Sequence, residues 1–213
     1  MTKAKICGLT ELEDARLAVD CGADALGFVF APSPRRISPE RAAEIIAGLP
    51  ASVVTVGLFV NEEPETVEQV VAVSGVSAVQ LHGEEPPAVV AELAGCGRLR
   101  RGDFGPVIKA LRVADADSLD AIESYPEASA FLLDAYCPDR PGGTGQRFDW
   151  ALARQAVARG RPIILAGGLD PDNVARAIAE VRPFAVDVSS GVEASPGRKD
   201  PEKLRRFLRV VKG

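Results

Sequence analysis

Five polar side chains stand at or near the ends of short apolar runs. Cys7 closes "AKIC", Gln80 and His82 close "SAVQLH", Asp134 closes "AFLLD", and Asp187 lies within "FAVDVS". Arg35 and Arg36 follow the run "ALGFVF" in the segment "APSPRRIS". Thiol, imidazole and carboxyl groups can take and give protons near neutral pH once their surroundings tune them. A guanidinium matches the geometry of a carboxylate. Each residue also has a plainer reading: Cys7 as a buried core thiol, the carboxylates as partners in structural ion pairs.

Two glycine-bearing segments add a second chemistry. "AGGL" at 166–169 and "SSGVE" at 189–193 place Gly167, Gly168, Ser189, Ser190 and Gly191 where backbone N–H groups can approach an anion, and together they point to a phosphate cradle. "PGGTG" at 141–145 lacks the GK[ST] of a nucleotide-binding loop and is expected to be part of a lid over the site.

The elements that must carry these groups form a repeating pattern. Eight runs rich in Val, Ile, Leu and Phe, at 4–7, 25–30, 53–60, 77–82, 106–112, 130–134, 162–167 and 184–189, alternate with amphipathic stretches. Continuous apolar strands imply a sheet buried on both faces, hence a parallel one. Thr10, Ser38-Pro39 and Asp170-Pro171 are expected to open helices, and Gly22, Gly48, Gly95 and Gly160 to close them. No linker divides the chain. The pattern predicts an α/β fold, a single (β/α)8 TIM barrel over residues 1–213. A doubly wound open sheet is the alternative, but no GxGxxG follows the first strand. In such a barrel, functional groups gather at the C-terminal ends of the strands, and the last two loops hold phosphate. All the residues singled out above would then share one mouth.

Composition removes several classes. A net charge of −5 and a pI near 5.1 argue against a nucleic-acid surface, so an anion would be bound by local donors. No apolar run approaches a membrane span, and "MTKAKICGLT" lacks the apolar core of a signal peptide; a cytoplasmic location is the expectation. Cys7, Cys21, Cys96 and Cys137 are scattered and His82 is the one histidine, so neither zinc nor a disulfide framework is expected. Cys21 and Cys96 fall on expected helices as packing residues, and Cys137 lies in the expected lid.

The segments "KICGLT", "GADALGFVF", "SPRRIS", "VGLFVN", "VQLHGEE", "LLDA…GGTGQRFDW", "AGGLDPDNV" and "RPFAVDVSSGVEASPGRKD", in this order, resemble the phosphoribosylanthranilate isomerases of tryptophan biosynthesis. The resemblance covers nearly the whole chain, with 95–105 its least similar stretch. It implies an Amadori rearrangement of a phosphoribosylated anthranilate from aminoaldose to ketose, without metal or organic cofactor. It implies Asp134 as general acid and Cys7 as general base. Arg36 would hold the anthranilate carboxylate, with Gly167–Gly168 and Ser189–Gly191 around the phosphate, while Gln80, His82 and Asp187 line the pocket. The implied partner is a small-molecule substrate, and either a monomer or a homodimer is compatible. The histidine-pathway isomerase of similar chemistry is expected to use two aspartates, against which Cys7 speaks. A non-catalytic phosphate-binding barrel would need neither Cys7 nor Asp134.

Two pKa expectations follow. Lys5, two residues before Cys7 and on the same strand face, would favour the thiolate and hold it below the free value of ~8.5, unless it pairs instead with a carboxylate such as Asp187. Neighbouring anions and desolvation would keep Asp134 protonated. Lys109 is placed on the interior face beside Lys5, with no role assigned.

Overall fold

The structure, a computed structural model, describes residues 1–100, 102–135 and 149–213. Of the expected lid, the loop 135–148 that contains Cys137 and the segment 141–145, residues 136–148 lie outside the described residues. Eight parallel strands close into a barrel in sequence order: β1 Lys3–Ile6, β2 Ala25–Val29, β3 Val54–Phe59, β4 Ala78–Leu81, β5 Val107–Val113, β6 Ala130–Ala135, β7 Ile163–Leu165 and β8 Ala185–Val188. Each falls inside or within a residue or two of an expected run. The β1–β8 pairing, with Lys5 opposite Asp187, closes the ring.

Helices α1 Leu12–Asp20, α2 Pro39–Ala47, α3 Pro64–Ser74, α4 Pro87–Ala94, α5 Trp150–Ala158, α6 Val174–Val181 and α7 Pro201–Lys212 surround the barrel. The unit after β5 departs from the expected repeat, with a 3-10 helix at Asp117–Ser124. Ser38 accepts from the Arg41 N–H as expected of a cap, and Asp149 and Asp200 do the same for α5 and α7. Such caps contribute about 0.5–2 kcal/mol each.

One expected cap is corrected: Glu11, not Thr10, precedes α1, and the Thr10 hydroxyl donates to Gly197 O at 2.7 Å. Asp170 caps as expected, its side chain accepting from the N–H groups of Asp172 and Asn173 and its carbonyl from Val174 N, in the turn that leads into α6. Cys21 caps α1 and Cys96 lies just past α4, so neither is within a helix, though both pack against the core.

Strand parity divides the apolar residues in two. Ala25, Val56, Ala78, Ile108, Ala110, Ala130, Leu132, Ile164 and Ala185 fill the barrel interior. The alternate positions, among them Leu26, Phe28, Phe59, Val79, Leu81, Phe131 and Val186, join the helix-facing core. Phe104 enters from the segment before β5 and meets Phe184 edge-on with ring centroids 5.5 Å apart, closing the N-terminal end of the interior. The floor is apolar, so polar side chains of interior parity gather at the other end.

Lys109 corrects the expected placement. It shares parity with Val107 and Leu111, which face the helices, and its ammonium pairs with Glu85 at 2.9 Å. It also donates to Gly83 O at 2.7 Å and Ala110 O at 3.1 Å. Glu85 in turn accepts from Asn61 N at 2.9 Å, so this buried pair ties the loops after β3 and β4 to β5.

A further element was not expected. After a short 3-10 helix, Ser190–Val192, strands β9 Glu193–Ser195 and β10 Arg198–Lys199 form an antiparallel hairpin outside the barrel. Among the described residues no helix is long and apolar enough to cross a membrane.

Candidate active site

Lys5 and Cys7 follow one another on the interior face of β1, and both point at Gly27 of β2. A Cβ built on Gly27 would stand 2.8 Å from Cys7 Sγ and 3.2 Å from Lys5 Nζ. Glycine is needed there because the thiol and the ammonium fill the space that a side chain would take. Lys5 is fully buried and pairs with Asp187 Oδ1 at 2.8 Å. Burial alone would depress the Lys5 pKa, but the Asp187 carboxylate and the neighbouring thiol outweigh it and the net direction is up. Lys5 therefore stays charged.

Of the two expectations for Lys5, the Asp187 pair is the one that governs the thiol. Burial pushes Cys7 up, Lys5 pulls it down, Asp187 pushes it up again, and Lys199 pulls it down; the net result lies above the ordinary cysteine value. Lys5 alone does not reverse this, because Asp187 neutralises it at salt-bridge distance and the sulfur has little water around it. Both readings of Lys5 hold: it faces the thiol and it pairs with Asp187.

Across the interior, β4 carries Gln80 and, one residue past its end, His82. The Gln80 side-chain nitrogen lies 2.9 Å from His82 Nδ1. With the amide donating, the neutral ring carries its proton on Nε2. That nitrogen is 3.5 Å from Asp134 Oδ2, too long for a strong hydrogen bond but close enough to orient the pair. Gln80 Oε1 and His82 Nε2 are buried with no hydrogen-bond partner among the described residues. Asp134 lies at the end of β6, its side chain 12 % exposed. Its register partner on β5 is Arg112, an exposed cation in the interior-facing series of Ile108 and Ala110. Arg112 was not singled out in the sequence, although its alternation with those residues marks it.

The glycine loops meet as expected. Gly167 and Gly168 hold φ of 80° and 67°, a region that favours glycine. A Cβ on Gly191 would lie 1.9 Å from Leu169 O, so the loops after β7 and β8 are packed backbone to backbone. Asn173 donates to Gly168 O at 2.8 Å and fixes that peptide. The N–H groups of Gly167 and Gly168 have no acceptor among the described residues. With the exposed Ser190 beside them, these loops offer amide and hydroxyl donors to an anion, whereas the Ser189 hydroxyl is given to Glu193 Oε1 at 3.4 Å.

The two arginines after β2 have different surroundings. Arg35 makes a two-pronged pair with Glu193, at 2.8 and 2.7 Å. Arg36 is exposed, has no ion-pair partner among the described residues, and lines a cavity of about 350 Å³ with Phe30, Ile37, Phe59, Thr66 and Val70. Arg36 is the one available to an incoming carboxylate. Among the described residues, no three or more His, Cys, Asp and Glu side chains are grouped so that they could hold a metal ion.

Residues 4–210 match the family model described as N-(5'-phosphoribosyl)anthranilate (PRA) isomerase. The chain is 59 % identical over 213 residues to N-(5'-phosphoribosyl)anthranilate isomerase of Citrifermentans bemidjiense, covering 100 % of this chain and 98 % of the relative. The crystal structure of phosphoribosyl anthranilate isomerase from Thermotoga maritima is 47 % identical and superposes with a TM-score of 0.89, each chain covered in full. A phosphoribosyl anthranilate isomerase in complex with reduced 1-(o-carboxyphenylamino)-1-deoxyribulose 5-phosphate is 46 % identical, with a TM-score of 0.86 and full coverage of both chains.

Proposed function

The chain belongs to the N-(5'-phosphoribosyl)anthranilate isomerase family, and from that membership and the geometry of the mouth we propose how its residues carry out the reaction. The reaction is the rearrangement of N-(5-phosphoribosyl)anthranilate to the 1-deoxyribulose 5-phosphate ketose, a step of tryptophan biosynthesis. Residues 1–213 act as one catalytic domain. The observation that carries the assignment of roles is the convergence of a thiol, a carboxyl group and an anion cradle on one face of the barrel.

The phosphate sits against the Gly167–Gly168 and Ser189–Gly191 segments, whose N–H groups are its donors. Arg36 takes the anthranilate carboxylate by a charge-assisted pair. The sugar then spans the mouth between Cys7 and Asp134. Asp134 gives its proton to the ribose ring oxygen; the C1–O bond breaks and the nitrogen lone pair forms an iminium ion. The Cys7 thiolate removes the C2 proton, and the C–H electron pair becomes the C1–C2 double bond of an enolamine. Protonation at C1 and loss of the C2 hydroxyl proton give the ketone and restore both catalytic groups.

Burial disfavours the thiolate in the free site, and the iminium cation created by ring opening favours it at the point where the base is needed. Asp187, held by Lys5, and Gln80 Oε1, which has no hydrogen-bond partner among the described residues, face the substrate's amino and hydroxyl groups.

The test is turnover of freshly generated phosphoribosylanthranilate, followed by loss of its anthranilate fluorescence. The expected result is enzyme-dependent loss. Folded protein that binds phosphate without consuming substrate would overturn the proposal in favour of a binding barrel, and preference for the histidine-pathway aminoaldose would overturn the substrate assignment.

A further inference from the structure

Lys199 lies on β10, outside the barrel, yet its side chain is fully buried and reaches the end of β1. Its ammonium donates to Cys7 O at 2.6 Å, Glu193 Oε1 at 2.9 Å and Ser189 O at 3.3 Å. An ammonium has three donors, so every one is used, and two of the acceptors are strand-end carbonyls on either side of the β1–β8 seam.

Glu193, 5 % exposed, also takes both prongs of Arg35 and a hydroxyl donation from Ser189 at 3.4 Å. Two cations thus share one carboxylate. A single lysine–glutamate pair would have satisfied the hairpin alone. The Arg35 side chain is pressed against the peptide that follows Cys7: a Cβ on Gly8 would stand 2.5 Å from Arg35 Cδ and 2.9 Å from Ser189 Oγ. Gly8 itself holds a φ of 74°. Backbone contact and positive charge therefore meet at Cys7.

We propose that Lys199, balanced by Glu193 and assisted by Arg35, is a positioning residue for the Cys7 thiol, fixing the end of β1 through the Cys7 carbonyl and supplying positive charge that favours the thiolate. This rests on the reading of Cys7 as the base. The charged groups facing Cys7 are Lys5 on its own strand, Asp187 on β8, Lys199 on β10 and Arg35 in the loop after β2. Lys5 is opposed by its own carboxylate at 2.8 Å, whereas Lys199 and Arg35 share the single carboxylate of Glu193; burial and the nearby Arg35 hold Lys199 below the ordinary lysine value, with Glu193 and Cys7 pulling the other way.

The test is the pH dependence of Cys7 alkylation by iodoacetamide, resolved by peptide mass spectrometry, alongside kcat and KM. Lys199→Met should alkylate about tenfold more slowly at a fixed pH below the midpoint, the effect of moving the titration up by roughly one pH unit. Its kcat should fall by a similar factor with KM near that of the parent. Lys199→Arg should restore the profile. Glu193→Gln should shift alkylation the opposite way, toward faster reaction, because it leaves both cations unopposed. An unchanged alkylation profile in folded Lys199→Met, or a slower one in Glu193→Gln, would overturn the proposal. If Lys199→Met does not fold, Glu193→Gln decides alone: faster alkylation supports the proposal, and unchanged or slower alkylation overturns it. Full turnover by Cys7→Ala would refute the catalytic reading separately, because alkylation of Cys7 is measured without turnover.

Discussion

Replacing Gly27 by alanine places one methyl group where β1 and β2 leave least room. The new Cβ would stand 2.8 Å from Cys7 Sγ, 3.1 Å from Cys7 Cα and 3.2 Å from Lys5 Nζ. Ordinary contact begins near 3.4 Å, so the sulfur must retreat by roughly 0.6–1 Å. The backbone contact resists relief because β1 is locked into register with both β2 and β8. Overpacking of this kind costs about 1–3 kcal/mol. At ~2–4 °C per kcal/mol for a chain of this size, Tm should fall by roughly 2–12 °C. Misplacing a reacting atom by about 1 Å costs up to ~10²-fold, so kcat should drop about 10–10²-fold. KM should move far less, since the three atoms nearest the added methyl group belong to Cys7 and Lys5, and none to the phosphate loops or Arg36. Thermal unfolding and fluorescence-based kinetics on the same preparation separate the two effects. A lowered Tm with unchanged kcat would refute the claim that the thiol's position matters.

Arg36→Ala should raise KM at least tenfold with a smaller change in kcat, and an unchanged KM would remove Arg36 as the carboxylate anchor. Inorganic phosphate should inhibit competitively, and Gly191→Ala should abolish that inhibition, since its Cβ would collide with Leu169 O at 1.9 Å; competition retained in the variant would move the phosphate site elsewhere. Stability should fall in acid through Glu85 and Glu193. Burial would raise both, but backbone and lysine contacts at Glu85, and Arg35 with Lys199 at Glu193, outweigh it, so both folded-state values lie below the ordinary 4.5. Their contribution is complete above about pH 4.5 and is lost as pH drops through the depressed values, so the acid limb of Tm against pH should flatten in Glu85→Gln. An identical acid limb in that variant would contradict the linkage.

The barrel was legible because eight apolar runs of strand length alternate with capped amphipathic stretches, and such a pattern leaves few packings. Position at strand ends was enough to bring Cys7, Gln80, His82, Asp134, Asp187 and both glycine loops to one mouth. The face on which Lys109 lies was not legible. Its strand carries two cations of opposite parity, Lys109 and Arg112, among apolar residues, so alternation sets them on opposite faces without saying which face is inward, and its partner Glu85 sits in a loop on another unit. The direction of the Cys7 pKa was not legible for a related reason. Strand spacing places Lys5 beside the thiol, but the outcome depends on burial and on how far Asp187 neutralises the lysine. The hairpin at 193–199 had a signal in the Pro-Gly pair of "EASPGRK", a turn between two short polar segments. The tie between Lys199 and Cys7 carries no such signal, because the two residues lie 192 positions apart and meet only in the folded barrel.

The central claim is that Cys7 and Asp134 form the base and acid of one reaction, and side-by-side kinetics of Cys7→Ser and Asp134→Asn on freshly generated phosphoribosylanthranilate test it most directly. Both substitutions preserve shape, so folded protein with parental KM is expected. A serine hydroxyl is far too weak an acid to serve as an alkoxide base, and asparagine has no proton to give the ring oxygen. Each variant should lose about 10²–10⁴ in kcat. Near-parental turnover by either one would contradict the pairing.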